Sequence, residues 1–257
     1  MTGGPWSISA PLRAAIAGAR RIVVFTGAGM SAESGVPTFR GPDGIWKKFK
    51  PEELASFSAF MKNPGLVWEW YEHRRVLMAS VTPNPGHRAV ADMEKHLPGV
   101  TVVTQNIDDL HRRAGSSAVI ELHGNINRNY CTGCGKYAPE VPPAGPGKAP
   151  ACPACGGLIR PDVVWFGEDL PEDEWNSAVA ASRAADLFLA VGTSGVVFPA
   201  ASLPEIAHKA GAYVAEINTG PGGFPGSADE LIEGKAGEVL PAVAAYLASL
   251  HHNGTGI

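Results

Sequence analysis

The stretch Ile22-Val23-Val24-Phe25-Thr26-Gly27-Ala28-Gly29-Met30-Ser31-Ala32 decides the fold class. A short apolar run opens into a GxGxxA turn, the form of a dinucleotide fingerprint, in which glycines admit a phosphate and backbone amides meet it. The chain does not then continue into a long helix, because Pro37 and Gly41 stand in Gly35-Val36-Pro37-Thr38-Phe39-Arg40-Gly41. A nucleotide-binding turn followed by a loop over the ligand is the reading, with Gly27 and Gly29 letting the backbone approach a pyrophosphate, Ser31 as a donor and Arg40 as added charge. Taken alone, a tight strand-to-helix turn is an equal match.

Similar apolar runs recur at 100–104, 187–191 and 212–217, each followed by a turn bearing Gly or Asn. Helical patterns lie around them, at 12–19, 86–95, 174–184, 200–209 and 239–250. Continuous Val/Ile-rich runs separated by helices indicate parallel strands covered on both faces. The expected fold is therefore α/β, a Rossmann-like doubly wound parallel sheet whose ligands bind beyond the carboxyl ends of the strands.

Two segments interrupt the alternation. Residues 44–80 are aromatic-rich and read as mostly helical, and the second holds the chain's four cysteines. These stand as Cys131-x2-Cys134 and Cys152-x2-Cys155 around a Pro/Gly-rich loop, the spacing of a closed, structural zinc site. Together the segments form a smaller inserted lobe, about 44–80 and 128–157, on a large lobe of about 12–43, 81–127 and 158–250.

Composition narrows the class. With 257 residues, 45% of them hydrophobic, the chain can bury a full core. A net charge of -4 gives no basic field for nucleic acid as a primary ligand. No apolar run approaches the ~20 residues of a bilayer span. Arg13, Arg20 and Arg21 precede any acidic residue, yet the helical spacing of Leu12, Ala15, Ile16 and Ala19 makes this the domain's first helix, and about ten residues ahead of it are too few for a targeting sequence. A cytoplasmic monomer is expected.

The polar turns carry the chemistry. Thr104-Gln105-Asn106-Ile107-Asp108 puts two amides and a carboxylate at a strand end, although Asn and Asp at turns commonly serve the backbone. Gly192-Thr193-Ser194 and Asn218-Thr219 add hydroxyl and amide groups at two more. His87, His96, His111 and His208 read as surface or core residues, whereas His123 precedes a glycine at a strand end where the two lobes meet. Polar turns along one sheet edge suit a long ligand such as a dinucleotide. An extended edge follows the cysteine segment at Val163-Val164-Trp165-Phe166-Gly167.

With these motifs assembled, the chain resembles the sirtuins, NAD-dependent protein-lysine deacylases, from about Leu12 to Leu250 in the family's order. The resemblance implies NAD as co-substrate, one structural zinc, and acyl-lysine proteins or peptides as partners. It makes His123 the general base toward the ribose hydroxyls after the acyl oxygen displaces nicotinamide, with free lysine and O-acyl-ADP-ribose as products. It implies that Asn106 and Asp108 hold the nicotinamide carboxamide, Gln105 the ribose, and Phe39 shields the reacting centre. Further NAD contacts fall to Ala28 in the first turn, Trp46 beyond it, Ile107 in the second, Gly192, Thr193 and Ser194 in the third, Asn218, Thr219 and Gly220 in the last, and Ala236 ahead of the final helix. The edge at 163–167 would pair with substrate backbone. Ala55, Tyr71 and Arg74 look like the class that removes acidic acyl groups: succinyl, malonyl and, by extension, glutaryl, with acetyl weaker. Tyr71 and Arg74 share one face of a helix expected over 66–78, where they could grip one carboxylate. An enzyme acting mainly as deacetylase or mono-ADP-ribosyltransferase, and a non-enzymatic NAD-sensing module, remain open.

Overall fold

The computed structural model describes residues 8–38 and 51–252. In chain order its elements are α1 (Ala10–Gly18), β1 (Ile22–Thr26), α2 (Gly29–Ala32), α3 (Pro51–Leu54), α4 (Phe57–Lys62), α5 (Pro64–Ser80), α6 (Pro85–His96), β2 (Val100–Thr104), α7 (Leu110–Ala114) and β3 (Val119–Glu121). There follow β4 (Gly124–Cys131), β5 (Ile159–Val163), α8 (Glu172–Ala184), β6 (Leu187–Val191), α9 (Leu203–Lys209), β7 (Tyr213–Asn218), β8 (Glu230–Glu233) and α10 (Ala236–His252).

Six strands form one sheet in the order β3-β2-β1-β6-β7-β8, every pairing parallel. This is the doubly wound Rossmann-like order, which reverses direction between β1 and β6 and so opens a crevice beyond their carboxyl ends. Strand alternation distributes the apolar runs over both faces. Ile22, Val24, Leu187 and Leu189 pack under α1, α6 and α10, while Val23, Phe25, Phe188 and Ala190 pack under α8 and α9. Both β1 and β6 are buried along their whole length.

Local caps fix where the helices begin. Ser9 Oγ accepts from the Leu12 amide at 3.1 Å, and Asn84 accepts from the Gly86 and His87 amides ahead of α6. Among the described residues no helix is long and apolar enough to cross a membrane.

β4 and β5 stand apart as an antiparallel pair with a bulge between Asn125 and Asn129. Beside them, α3 to α5 join the main domain through a shared core of Phe60, Val67, Tyr71, Ile107, Ile126 and Trp165. The sequence pattern missed β4, since Gly-Asn-Ile-Asn-Arg-Asn-Tyr-Cys contains no apolar run and owes its strand form to pairing with β5. It also missed β8, an edge strand whose outer residues are glutamates.

Candidate active site

A cavity of about 610 Å³ lies beyond the carboxyl edge of the sheet, where the turns after β1, β2, β3, β6 and β7 meet α5 and the segment following β5. The turns are tied to one another. Asn106 Nδ2 donates to Gly27 O at 2.9 Å, Gln105 Nε2 to Thr193 Oγ1 at 2.9 Å and Asn218 Nδ2 to Thr193 O at 2.9 Å. A rim crosslinked in this way is preorganised for a ligand.

The glycines of the first turn serve that crosslinking. A Cβ on Gly27 or Gly29 would come within 2.8 or 2.7 Å of the Gly192 backbone, and their amides donate to Val191 O and Gly192 O. They pack the β1 turn closely against the β6 turn while still lining the cavity. Ser31, expected as a phosphate donor, lies behind the cavity wall with its hydroxyl turned to Asp108. It is fully buried and donates to Asp108 Oδ2 at 2.6 Å, with Asn106 Nδ2 3.2 Å from its oxygen. Burial pushes the Asp108 carboxyl upward, opposed by the donors Ser31 Oγ and the Leu110 amide. Behind them, burial lowers His87 to about 2 and His111 to about 3, so both sit neutral in the core.

His123 ends the β3 segment at the cavity wall. Its Nδ1 lies 2.9 Å from the Gln105 carbonyl oxygen. A carbonyl only accepts, so Nδ1 carries the proton and Nε2 keeps its lone pair, the tautomer of a base. Burial lowers its pKa, with the Gln105 carbonyl pulling the other way. The glycine after it is required: Gly124 has φ +77, and a Cβ there would fall 2.2 Å from Asp162 O. That crossing seats β4 on β5 and lets the Val164 amide donate to His123 O at 3.0 Å.

From the small-lobe side, α5 presents Tyr71 and Arg74, both buried and both lining the cavity with Ala55. Trp165 Nε1 donates to Tyr71 Oη at 2.8 Å. Burial raises Tyr71 to about 12, and burial lowers Arg74 from its ordinary value against the pull of Tyr71 and Asp108. Arginine still keeps its charge at neutral pH. Along the 163–167 edge, the Val164, Trp165 and Phe166 amides already donate to His123 O, Glu168 Oε2 and Ala55 O.

The four cysteines converge with all sulfurs within 4.8 Å of one another. Cys131 and Cys155 sulfurs are 3.4 Å apart and those of Cys134 and Cys152 4.0 Å, too long for a disulfide. Those distances bracket the edge of about 3.8 Å that a tetrahedron with Zn–S bonds of about 2.3 Å requires. Donors and geometry fit one structural zinc, and four sulfurs leave no position for substrate. The Cys134 and Gly133 amides draw the Cys131 thiol down to about 6, toward the thiolate that binds metal. Cys131 and Cys152 pack on Trp68 of α5, one turn from Tyr71. Cys131→Ser or chelation is therefore expected to lower the melting temperature and activity together; metal-free protein that melts and turns over normally would refute a structural role.

The cavity thus gathers Gly27, Ala28, Gly29, Gln105, Asn106, Ile107, His123, Gly192, Thr193, Ser194, Asn218 and Thr219, together with Ala55, Tyr71, Arg74 and Val163 to Gly167. Ser31 and Asp108 stand one layer behind. Gly220 and Ala236 do not line it; Ala236 starts α10 and packs into the core instead. Phe39, Arg40 and Trp46 fall outside the described residues. The sequence reading missed Thr38, Trp70, Glu168, Leu170, Val197, Phe198, Pro199 and Pro221 as lining residues. Phe198 is 73% exposed, and an exposed aromatic in a loop leaves no periodic signal.

A model described as the Sir2 family matches residues 27–199. NAD-dependent protein deacylase 2 of Pyrobaculum aerophilum is 53% identical over 232 residues, covering 88% of this chain and 90% of that protein. The NAD-dependent protein deacylase of Mycobacterium tuberculosis is 49% identical over 236 residues, covering 90% and 99%. Among solved structures, a Sir2 homolog–NAD complex superposes with a TM-score of 0.87 at 42% identity, covering 96% of this chain and 97% of that one. A Sir2–p53 peptide–NAD+ complex gives 0.79 at 33% identity, covering 92% and 97%.

Proposed function

The chain belongs to the Sir2 family, and on that basis we propose that it is an NAD-dependent protein-lysine deacylase that prefers acidic acyl groups, succinyl, malonyl and glutaryl, over acetyl. NAD supplies a ribosyl carbon activated by its nicotinamide leaving group. Its polar parts would lie along the crosslinked rim of Gly27, Asn106, Thr193 and Asn218, with Asn106 and, from behind, Asp108 at the nicotinamide end. His123 Nε2 accepts a proton from a ribose hydroxyl, and the Gln105 carbonyl holds the ring in the tautomer that can do so. Main-chain groups of 163–167 take the substrate backbone, with Gly167 the amide of that run that has no partner among the described hydrogen bonds.

The observation that carries the acyl preference is the buried pair Tyr71 and Arg74 lining the cavity. A guanidinium and a phenol held out of water favour a carboxylate, because a charge-assisted hydrogen bond to the acyl end is open to succinyl and closed to acetyl. On this reading the large lobe holds NAD and the small lobe shapes the acyl channel. The enzyme then acts as a cytoplasmic monomer on acylated proteins or peptides, and the net charge of -4 supports the exclusion of nucleic acid. The test is one peptide carrying acetyl, malonyl, succinyl or glutaryl lysine, mixed and followed by mass spectrometry with and without NAD. The acidic forms should be consumed first and only with NAD; faster loss of the acetyl form would return the chain to the deacetylase reading.

A further inference from the structure

We infer that Trp165 is a positioning residue for acyl selection: its indole N–H fixes the Tyr71 hydroxyl as an acceptor, so that the phenolic proton faces the acyl carboxylate. This rests on the acidic-acyl reading of the same cavity. The indole nitrogen, 2.8 Å from Tyr71 Oη, is a donor with no acceptor capacity, so the contact has one polarity. Tyr71 must accept from Trp165, and its own proton is left for another partner. Desolvation raises Tyr71 to about 12, so that proton stays in place at neutral pH. Arg74, one turn along the same helix face, supplies the charge and Tyr71 the second donor.

Trp165 is itself held from several sides. The Arg160 guanidinium carbon lies 3.4 Å from the indole centroid, and Phe60 packs at 5.3 Å on the same side chain. Arg160 is 2% exposed and pairs with Glu168. Glu168 Oε2 also accepts from the Trp165 backbone amide at 2.8 Å, and Arg160 Nη2 donates to Val163 O at 2.8 Å. A planar, always charged guanidinium can stack on the ring while its in-plane N–H groups bind the neighbouring backbone. One part-buried ion pair thereby sets the plane of the indole and the chain that carries it, and the indole sets the hydroxyl.

The test compares kcat/KM for succinyl- and acetyl-lysine forms of one peptide in the wild type, Tyr71→Phe, Trp165→Phe and the double variant. Trp165→Phe should lower the succinyl-to-acetyl ratio about five- to tenfold, and it should lower the ratio no further in the Tyr71→Phe background, where no hydroxyl remains to be aimed. A ratio unchanged by Trp165→Phe, or lowered as much with Tyr71→Phe already present, overturns the inference. Should Trp165→Phe fail to fold by circular dichroism, 3-benzothienylalanine at position 165 keeps the bicyclic shape without the N–H, and the same ratio change is expected. A wild type indifferent to the acyl charge, or a ratio untouched by Tyr71→Phe, refutes the acidic-acyl reading and this inference with it.

Discussion

His123→Ala lowers turnover by ~100-fold or more while NAD still binds, because general-base assistance is removed and the crosslinked rim is left intact. The rim bonds of Asn106, Gln105 and Asn218 come from their own side chains, and none uses the imidazole. The pH profile gives a second readout. Burial lowers His123 from its ordinary 6.5, so the basic, neutral form persists as pH drops through that value. The acid limb of kcat/KM should accordingly lie below pH 6.5 and vanish in the variant. Near-normal turnover of His123→Ala, with NAD affinity measured by calorimetry, would remove the base from His123.

Arg74→Met costs desuccinylation ~10- to more than 100-fold while deacetylation falls far less. The size follows from a charge-assisted hydrogen bond in a water-poor site, about 1.5–3 kcal/mol, at about 1.4 kcal/mol per factor of ten. Methionine keeps much of the buried volume of Arg74, which packs 4.9 Å from the Trp70 ring, so the loss reports charge more than packing. Tyr71→Phe acts in the same direction and less. An equal proportional loss on both substrates would leave Tyr71 and Arg74 as core residues of α5.

Much of this was written in local pattern. Ile22 to Thr26 and Leu187 to Val191 read as buried parallel strands because they are apolar on both faces, and the sheet covers both faces. The cysteine spacing identified a metal site because two CxxC turns bring four sulfurs together whatever surrounds them. What sequence could not give was contact between distant turns. That Gly27 and Gly29 also pack against Gly192, and that Ser31 donates to Asp108, is invisible in the local motif. Likewise Trp165 and Tyr71 stand 94 positions apart, and only the fold turns two aromatic residues into one oriented pair.

The most direct measurement is release of nicotinamide by the wild-type protein with NAD alone and with NAD plus succinyl-lysine peptide. Release in strict dependence on the peptide, with O-succinyl-ADP-ribose and unmodified lysine appearing in equal amounts, is the expected result. Release without acyl peptide and transfer of ADP-ribose to protein would instead make the chain a mono-ADP-ribosyltransferase, and NAD bound without any release would make it a sensor.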